Sequence, residues 1–175
     1  MLIMQRAKCS QGRPEEAARE YETAIAAGLN SVYLIWALSQ CKLLTGSIEE
    51  VIPAQEQAIR LSPRDPNRFL FYSHIGIVHL LQSRTNEAIV WLEKARNATP
   101  VHAGVRAFLA SAHALNSDTE RATAELAEAR RLSADDRYTS ITRVKATRYW
   151  GIPKIRALFE ATYFAGLRKA GMPEE

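Results

Sequence analysis

The sequence predicts an all-α solenoid of antiparallel helix pairs, about four repeats long and closed by a C-terminal capping helix pair. Three observations carry that prediction. Helix formers (Ala, Leu, Glu, Arg) are plentiful, whereas Pro (7) and Gly (8) are few among 175 residues. The stretch 67–100 reads as two amphipathic helices around a short polar break at 83–86. The residue pattern of that stretch then recurs on both sides of it at a nearly fixed step.

Within 67–100 the pattern is Gly76, Ala88, Leu92, Ala95 and Pro100. Ala88, Leu92 and Ala95 share one face of the second helix, and Gly76 sits where a small residue lets two helices approach closely. Pro100 stops that helix or starts the next. A shift of 34 residues forward finds Ala110, Ala122, Leu126, Ala129 and Ala134. A shift of 37 back finds Ser39, Val51, Gln55, Ala58 and Pro63, and the Pro/Asp/Asn loop at 63–67 absorbs the three extra residues. A further 34 back gives Ala17, Tyr21, Ala24 and Leu29. Gly12, Gly46, Ser83 and Ser117 hold the turn position in their copies. An ordinary helical bundle would share the periodicity without a fixed repeat length.

Taken in order, the first copy is partial and covers 1–30. Its second helix, 14–27, opens on Pro14 with Glu15 and Glu16 in the first turn. Leu2, Ile3 and Met4 are apolar where a solenoid end carries a polar cap. The expectation is a C-terminal part of a longer protein, or an end covered by self-association. Three repeats follow at 31–65, 66–100 and 101–134, with helices at 31–45, 48–61, 67–83, 85–98, 101–115 and 118–132. Ser47 to Glu50 and Ser117 to Glu120 are capping-box patterns. Beyond them a helical stretch at 137–150 meets a break at Gly151, Ile152 and Pro153. A last helix, 154–170, has an amphipathic face through Ile155, Leu158, Phe159, Tyr163 and Leu167. Arg156 and Glu160 fall where a small residue and a leucine or aromatic belong, so 135–175 reads as a degenerate repeat or a cap.

Composition bounds the function. At 47% hydrophobic residues the chain can build a core. No run approaches the roughly 18 apolar residues that read as a membrane span. The first residues lack the apolar core and cleavage site of a signal peptide, so a cytoplasmic chain is expected. Cys9 and Cys41, one repeat apart, fit buried thiols in that compartment. Of the net charge of +4, the segment from Arg137 onward holds more than all, with eight Lys/Arg against three Glu. We read it as a solvated Arg-rich helix face, with contact to nucleic acid as the alternative.

No catalytic constellation is legible. There is no GxSxG, P-loop, CxxC or HExxH spacing. Glu15/Glu16, Glu49/Glu50 and Asp135/Asp136 sit at expected helix starts, where carboxylates favour the positive end of the dipole. His79 and His113, one repeat apart, lack the further ligands a metal needs and read as packing residues. No cofactor, metal or catalytic residue is expected.

The pattern resembles the tetratricopeptide repeat, carried best by Tyr72, Ile75, Gly76, His79, Ala88, Leu92, Ala95 and Pro100. It departs where Arg106 replaces the early aromatic and where Gln55, Leu92 and Leu126 replace the later one. The resemblance implies a right-handed solenoid whose first helices line a concave, peptide-binding face. That face would present Tyr33, Trp36, Gln40 and Leu44; Leu70, Ser73, Ile77 and Leu81; and Ala107, Ser111 and Ala114. Tyr33 and Trp36 would anchor an apolar or amphipathic segment, while Gly76, Ala88, Ala95, Ala110, Ala122 and Ala129 would pack repeat on repeat. The wording of LFEATYFAGLRKAGMPEE, LLTGSIEEVIPAQEQAIRLSPRDP and IGIVHLLQSRTNEAIVWLEKA also resembles the C-terminal repeat region of bacterial class III adenylate/guanylate cyclases. Similar regions follow winged-helix domains in bacterial regulators. The resemblance implies an interaction or regulatory part without the catalytic part. Its partner would be a protein or peptide segment, drawn in one reading from another domain of the same polypeptide.

Overall fold

A computed structural model describes residues 12–29 and 31–175. Cys9, Leu2, Ile3 and Met4, and the end they were read to expose, lie outside the described residues. The regular elements among the described residues are all helical. They are α1 (Pro14–Ala26), α2 (Val32–Thr45), α3 (Val51–Leu61), α4 (Arg68–Leu81), α5 (Thr85–Ala98), α6 (Ala103–Leu115) and α7 (Thr119–Leu132). Each packs on the helix before it and the helix after it, which makes an α-solenoid of antiparallel pairs.

The turn residues explain the antiparallel pairing. Gly12, Gly46, Ser83 and Ser117 all take positive φ, at 83°, 104°, 59° and 62°. Such a residue ends a helix by letting the next amides reach back to its last carbonyls. The Arg84 amide, for example, bonds the His79 carbonyl at 2.9 Å and the Asp118 amide bonds His113 at 2.9 Å. Gly supplies this conformation without strain, and the two serines carry it at some cost. Two expected capping boxes take other forms. Ser47 makes no side-chain cap and a 3-10 turn, Ile48–Glu50, leads into α3, with Glu50 paired to Lys42. Asp118 caps α7, accepting from the Arg121 amide at 3.2 Å, because Ser117 is already committed to the turn.

Inside each pair the crossing point repeats with different chemistry. Gly76 faces Leu92 so closely that a Cβ on Gly76 would lie 2.6 Å from Leu92 Cγ. The equivalent residues are Ala110 with Leu126 in the next copy, and Ser39 with Gln55 in the previous one. There the Gln55 side-chain amide donates to Ser39 Oγ. The weaker residues of that copy therefore form a polar version of the same contact.

The inner and outer helices differ in burial. The outer helix α5 buries one stripe, Ala88, Leu92 and Ala95. The inner helices α4 and α6 bury residues all round, including Ile75, Ile77 and Val78 on α4. A helix apolar on every side needs cover on every side. The cover is the C-terminal segment.

That segment departs from expectation. The stretch 137–150 is not one helix but a 3-10 turn, Arg137–Thr139, and a six-residue helix, α8 (Ile141–Ala146). Its β-branched residues, Thr139, Ile141, Thr142, Val144 and Thr147, form helix weakly, and Ser140 takes extended backbone (φ −148°, ψ 159°). Gly151 then turns the chain at φ +94°, and Ile152 donates its amide to the Leu44 carbonyl at 2.9 Å. The last helix comprises α9 (Pro153–Phe159), a π turn (Glu160–Phe164) and α10 (Ala165–Lys169). It does not stack beyond α7 as a further repeat would. It crosses the concave face, with α9 on α2, the π turn on α4 and α6, and α10 on α6. The tail returns to α8, where the Ile141 and Thr142 amides bond the Pro173 and Glu174 carbonyls at 2.9 and 3.0 Å.

Among the described residues, four of the eight basic side chains of this segment form ion pairs. Arg137 binds Asp135, Arg143 binds Asp136, Lys145 reaches Glu160 at 2.7 Å and Arg168 reaches Glu160 at 2.7 Å. Asp135 and Asp136 thus hold arginines, and Asp136 stands at the start of the 3-10 turn, its carbonyl accepting from the Thr139 amide at 3.0 Å.

Candidate concave site

The inner helices set their concave side chains by helical spacing, and the last helix decides which remain accessible. Ser111 is fully buried beneath it. Its hydroxyl donates to the Tyr163 carbonyl at 2.9 Å, with the Thr162 carbonyl at 3.4 Å. Both carbonyls belong to the π turn. Tyr163 stacks on Phe108 of α6, with ring centroids 4.1 Å apart. Ser111 is therefore a docking point for this chain's own helix and not part of an open surface.

Further along the groove the helix stands away from the floor and leaves a cavity of about 510 Å³. Trp36 and Gln40 of α2 meet Leu70, Ser73 and Ile77 of α4 there. Tyr33 is half-buried behind them, its ring centroid 5.1 Å from that of Trp36, and does not line the cavity. Trp36 itself is 5% exposed, so any anchoring role is exercised inside the cavity. The residues read as repeat packing, Ala88, Ala95, Ala110, Ala122 and Ala129, are fully buried away from it, as is Gly76.

A polar network underlies the cavity floor. His74 Nε2 donates to Gln40 Oε1 at 2.7 Å, and His74 Nδ1 accepts from the Gln55 amide at 3.4 Å. Ser39 Oγ accepts from Gln55 and donates to the Trp36 carbonyl at 3.0 Å. The His74 ring stacks on Trp36, with centroids 5.4 Å apart. Burial, then the positive charge of Arg148, pushes its pKa down to about 3. His74 is therefore neutral, in the tautomer that donates from Nε2.

The opposite wall escaped the sequence reading. It comprises Tyr138, Arg148, Trp150, Phe159 and Tyr163. Trp150 lies edge-on to Phe159, with centroids 5.0 Å apart, and donates its indole N–H to the Lys145 carbonyl at 2.9 Å. The Arg148 guanidinium covers the Trp150 ring at 4.2 Å. Burial pushes the Tyr163 hydroxyl well above its ordinary pKa and raises that of Tyr138. The available signal was the length of the apolar face on 154–170. An end cap needs one face against one repeat, whereas this helix carries large aromatics together with Gly166.

Among the described residues no cluster of three His, Cys, Asp or Glu could hold a metal. No helix among them is long and apolar enough to cross a membrane.

Several solved structures share the architecture. MamA 41-end from Desulfovibrio magneticus RS-1 superposes with a TM-score of 0.62 at 17% identity, covering 96% of this chain and 91% of that one. MamA MSR-1 gives 0.59 at 19% identity, covering 97% and 87%. A further MamA crystal structure gives 0.60 at 16% identity, covering 94% and 90%. No family model and no curated protein matches the sequence. At these identities the likeness speaks for the fold: the chain is an all-α, tetratricopeptide-like solenoid similar in architecture to MamA, with its own last helix laid across the concave face.

Proposed function

We propose that this chain is a protein-interaction module with no catalysis of its own. One observation carries the reading: the concave face already holds an amphipathic helix, which touches all three inner helices α2, α4 and α6. A surface that accepts such a helix from its own chain has the apolar floor and the carbonyl-capping hydroxyl to accept a similar one from a partner. The inward position of Trp36, Leu70 and Ile77 supports the same reading.

The finer proposal is that the module is the regulatory C-terminal part of a larger bacterial signalling protein acting in the cytoplasm. The wording of 158–175 and of the two upstream stretches supports it. A nucleotide cyclase or a winged-helix regulator would be the parent, and the reading frame upstream of Met1 tests both. Self-association through the N-terminal end belongs to the same proposal and is tested by sedimentation equilibrium.

Selection of displayed peptides on the whole chain tests the interaction itself. Enriched peptides should be amphipathic helices, and Leu70→Glu should weaken their binding about tenfold, an effect of roughly 1.4 kcal/mol. Selection that enriches nothing, or peptides indifferent to Leu70→Glu, would sink the reading.

A further inference from the structure

We propose that the last helix is a stand-in occupant of the concave groove, and that a partner helix binds by displacing it. The inference rests on the interaction reading above and adds the kind of helix that the seat selects.

The seat fixes two positions of any helix that takes it. At one of them Gly166 lies against Ser111, where a Cβ would come within 2.5 Å of the Ser111 carbonyl oxygen. Three residues earlier, Tyr163 stacks on Phe108, with ring centroids 4.1 Å apart. Phe108 in turn stands three residues before Ser111 on α6. The two contacts therefore advance together along both helices, one turn apart on facing sides. A partner must carry an aromatic residue and, three positions later, a glycine. The polar contacts ask less of its sequence. Ser111 donates to the Tyr163 and Thr162 carbonyls, which are backbone groups that any helix brings.

Other contacts of the occupant lie within its own segment. Glu160 holds Lys145 and Arg168 at 2.7 Å each, and the Pro173 and Glu174 carbonyls accept from the Ile141 and Thr142 amides. Trp150 lies edge-on to Phe159 and to Phe164, 5.0 Å from each. These contacts travel with the segment when it leaves α6. The bonds that break include those from Ser111 and that of the Ile152 amide to the Leu44 carbonyl. Gly166 and the β-branched Thr162 also make the occupant a weak helix on its own. Its hold comes from tethering, since a linked segment competes at an effective concentration on the order of millimolar.

Fluorescence anisotropy with a labelled peptide of the sequence 152–175, added to the whole chain, tests the proposal. Against the parent chain the peptide meets its tethered twin and should bind poorly. Gly166→Ala in the chain weakens the twin alone, so the native peptide should then bind at least tenfold more tightly. A peptide that itself carries Gly166→Ala should bind that variant chain at least tenfold more weakly than the native peptide does. Tyr163→Leu in the chain, which removes the ring from Phe108, provides a second weakened seat and should act in the same direction. Hydrogen exchange should show amides 153–169 of the Gly166→Ala chain losing protection as the native peptide saturates it. Equal affinity for the parent and both variant chains, equal affinity of the two peptides, or unchanged protection of 153–169 at saturation would each overturn the displacement. Those failures leave the interaction reading to its own test, the dependence of displayed peptides on Leu70.

Discussion

Gly166 of the last helix lies flat against Ser111 of α6. A Cβ on Gly166 would sit 2.5 Å from the Ser111 carbonyl oxygen and 2.8 Å from its Cα. These are backbone atoms and cannot swing aside as a side-chain tip can. Gly166→Ala must therefore lift the helix from the groove. Overpacking of this kind costs about 1–3 kcal/mol. It should prevail over the roughly 1 kcal/mol by which alanine is favoured inside a helix. Urea unfolding should show a lower midpoint, and a raised midpoint would mean that the helix is not seated on Ser111.

That contact also shows where the sequence stopped being legible. The solenoid was readable because its pair contacts recur: Gly76 with Leu92, and Ala110 with Leu126, obey one spacing. The concave residues Trp36, Leu70, Ser73 and Ile77 could be placed for the same reason, since a helical face follows from periodicity. The groove's occupant could not. Its contacts, Ser111 with Tyr163 and Gly166, join residues more than fifty positions apart with no repeat to relate them. Nothing local in the sequence singles out Gly166, because its close approach is to a residue 55 positions away. Arg148 and Trp150 read as parts of a helix because their role is set by the turn at Gly151 and not by any period.

The His74 network makes stability depend on mild acid. His74 has a folded pKa of about 3, against 6.5 for the unfolded chain, because burial and then Arg148 disfavour its charged form. Between these values the unfolded chain binds the extra proton. Stability is fully present above about pH 6.5 and is lost as pH falls towards 3, by at most about 1.4 kcal/mol per pH unit from this group. Burial lowers His79 and His113 in the same direction. The carboxylates with depressed pKa, such as Asp135 and Glu160, act in a lower window. Urea midpoints between pH 7 and 5 should therefore fall, and His74→Gln should flatten that slope. An unchanged slope in the variant would show that His74 is not the titrating group.

The two strained turns offer stabilisation. Ser83 and Ser117 occupy the left-handed region at φ 59° and 62°, where the first and second copies use Gly12 and Gly46. Ser83→Gly and Ser117→Gly remove a strain of about 1–2 kcal/mol each. They also free the unfolded chain by up to about 1 kcal/mol. The net expectation is a gain of a few tenths to about 1 kcal/mol per site. The two should add, because the turns belong to different pairs. Thermal melts of both single variants and the double check this, and a loss at either site would show that the serine side chain contributes more than its backbone strain removes.

One position in the solenoid carries two different chemistries, and they should be exchangeable. In the pair α4–α5, Tyr72 faces Trp91, with ring centroids 5.9 Å apart. At the same positions of α6–α7, 34 residues on, stand Arg106 and Glu125. Glu125 Oε2 accepts from Arg106 at 3.0 Å, and its Oε1 accepts from Arg96 at 2.7 Å. The Glu125 side chain is only 9% exposed, whereas the two arginines are 18% and 26% exposed. Glu125→Gln leaves two guanidiniums facing each other around a neutral amide. Breaking a fully buried pair costs about 3–5 kcal/mol. The partial exposure of both arginines brings the expectation here to about 2–3 kcal/mol. The double change Arg106→Tyr with Glu125→Trp removes both ions of the pair and imports the neighbouring repeat's aromatic contact. Arg96 keeps Glu93, 3.7 Å away, as a partner. Replacing a buried ion pair by well-packed apolar groups is often neutral or stabilising, so the double variant should lie within about 1 kcal/mol of the parent chain. Denaturation of the singles and the double forms a closed cycle. If the double variant loses as much as the two singles together, the positions are equivalent in sequence register but not in packing.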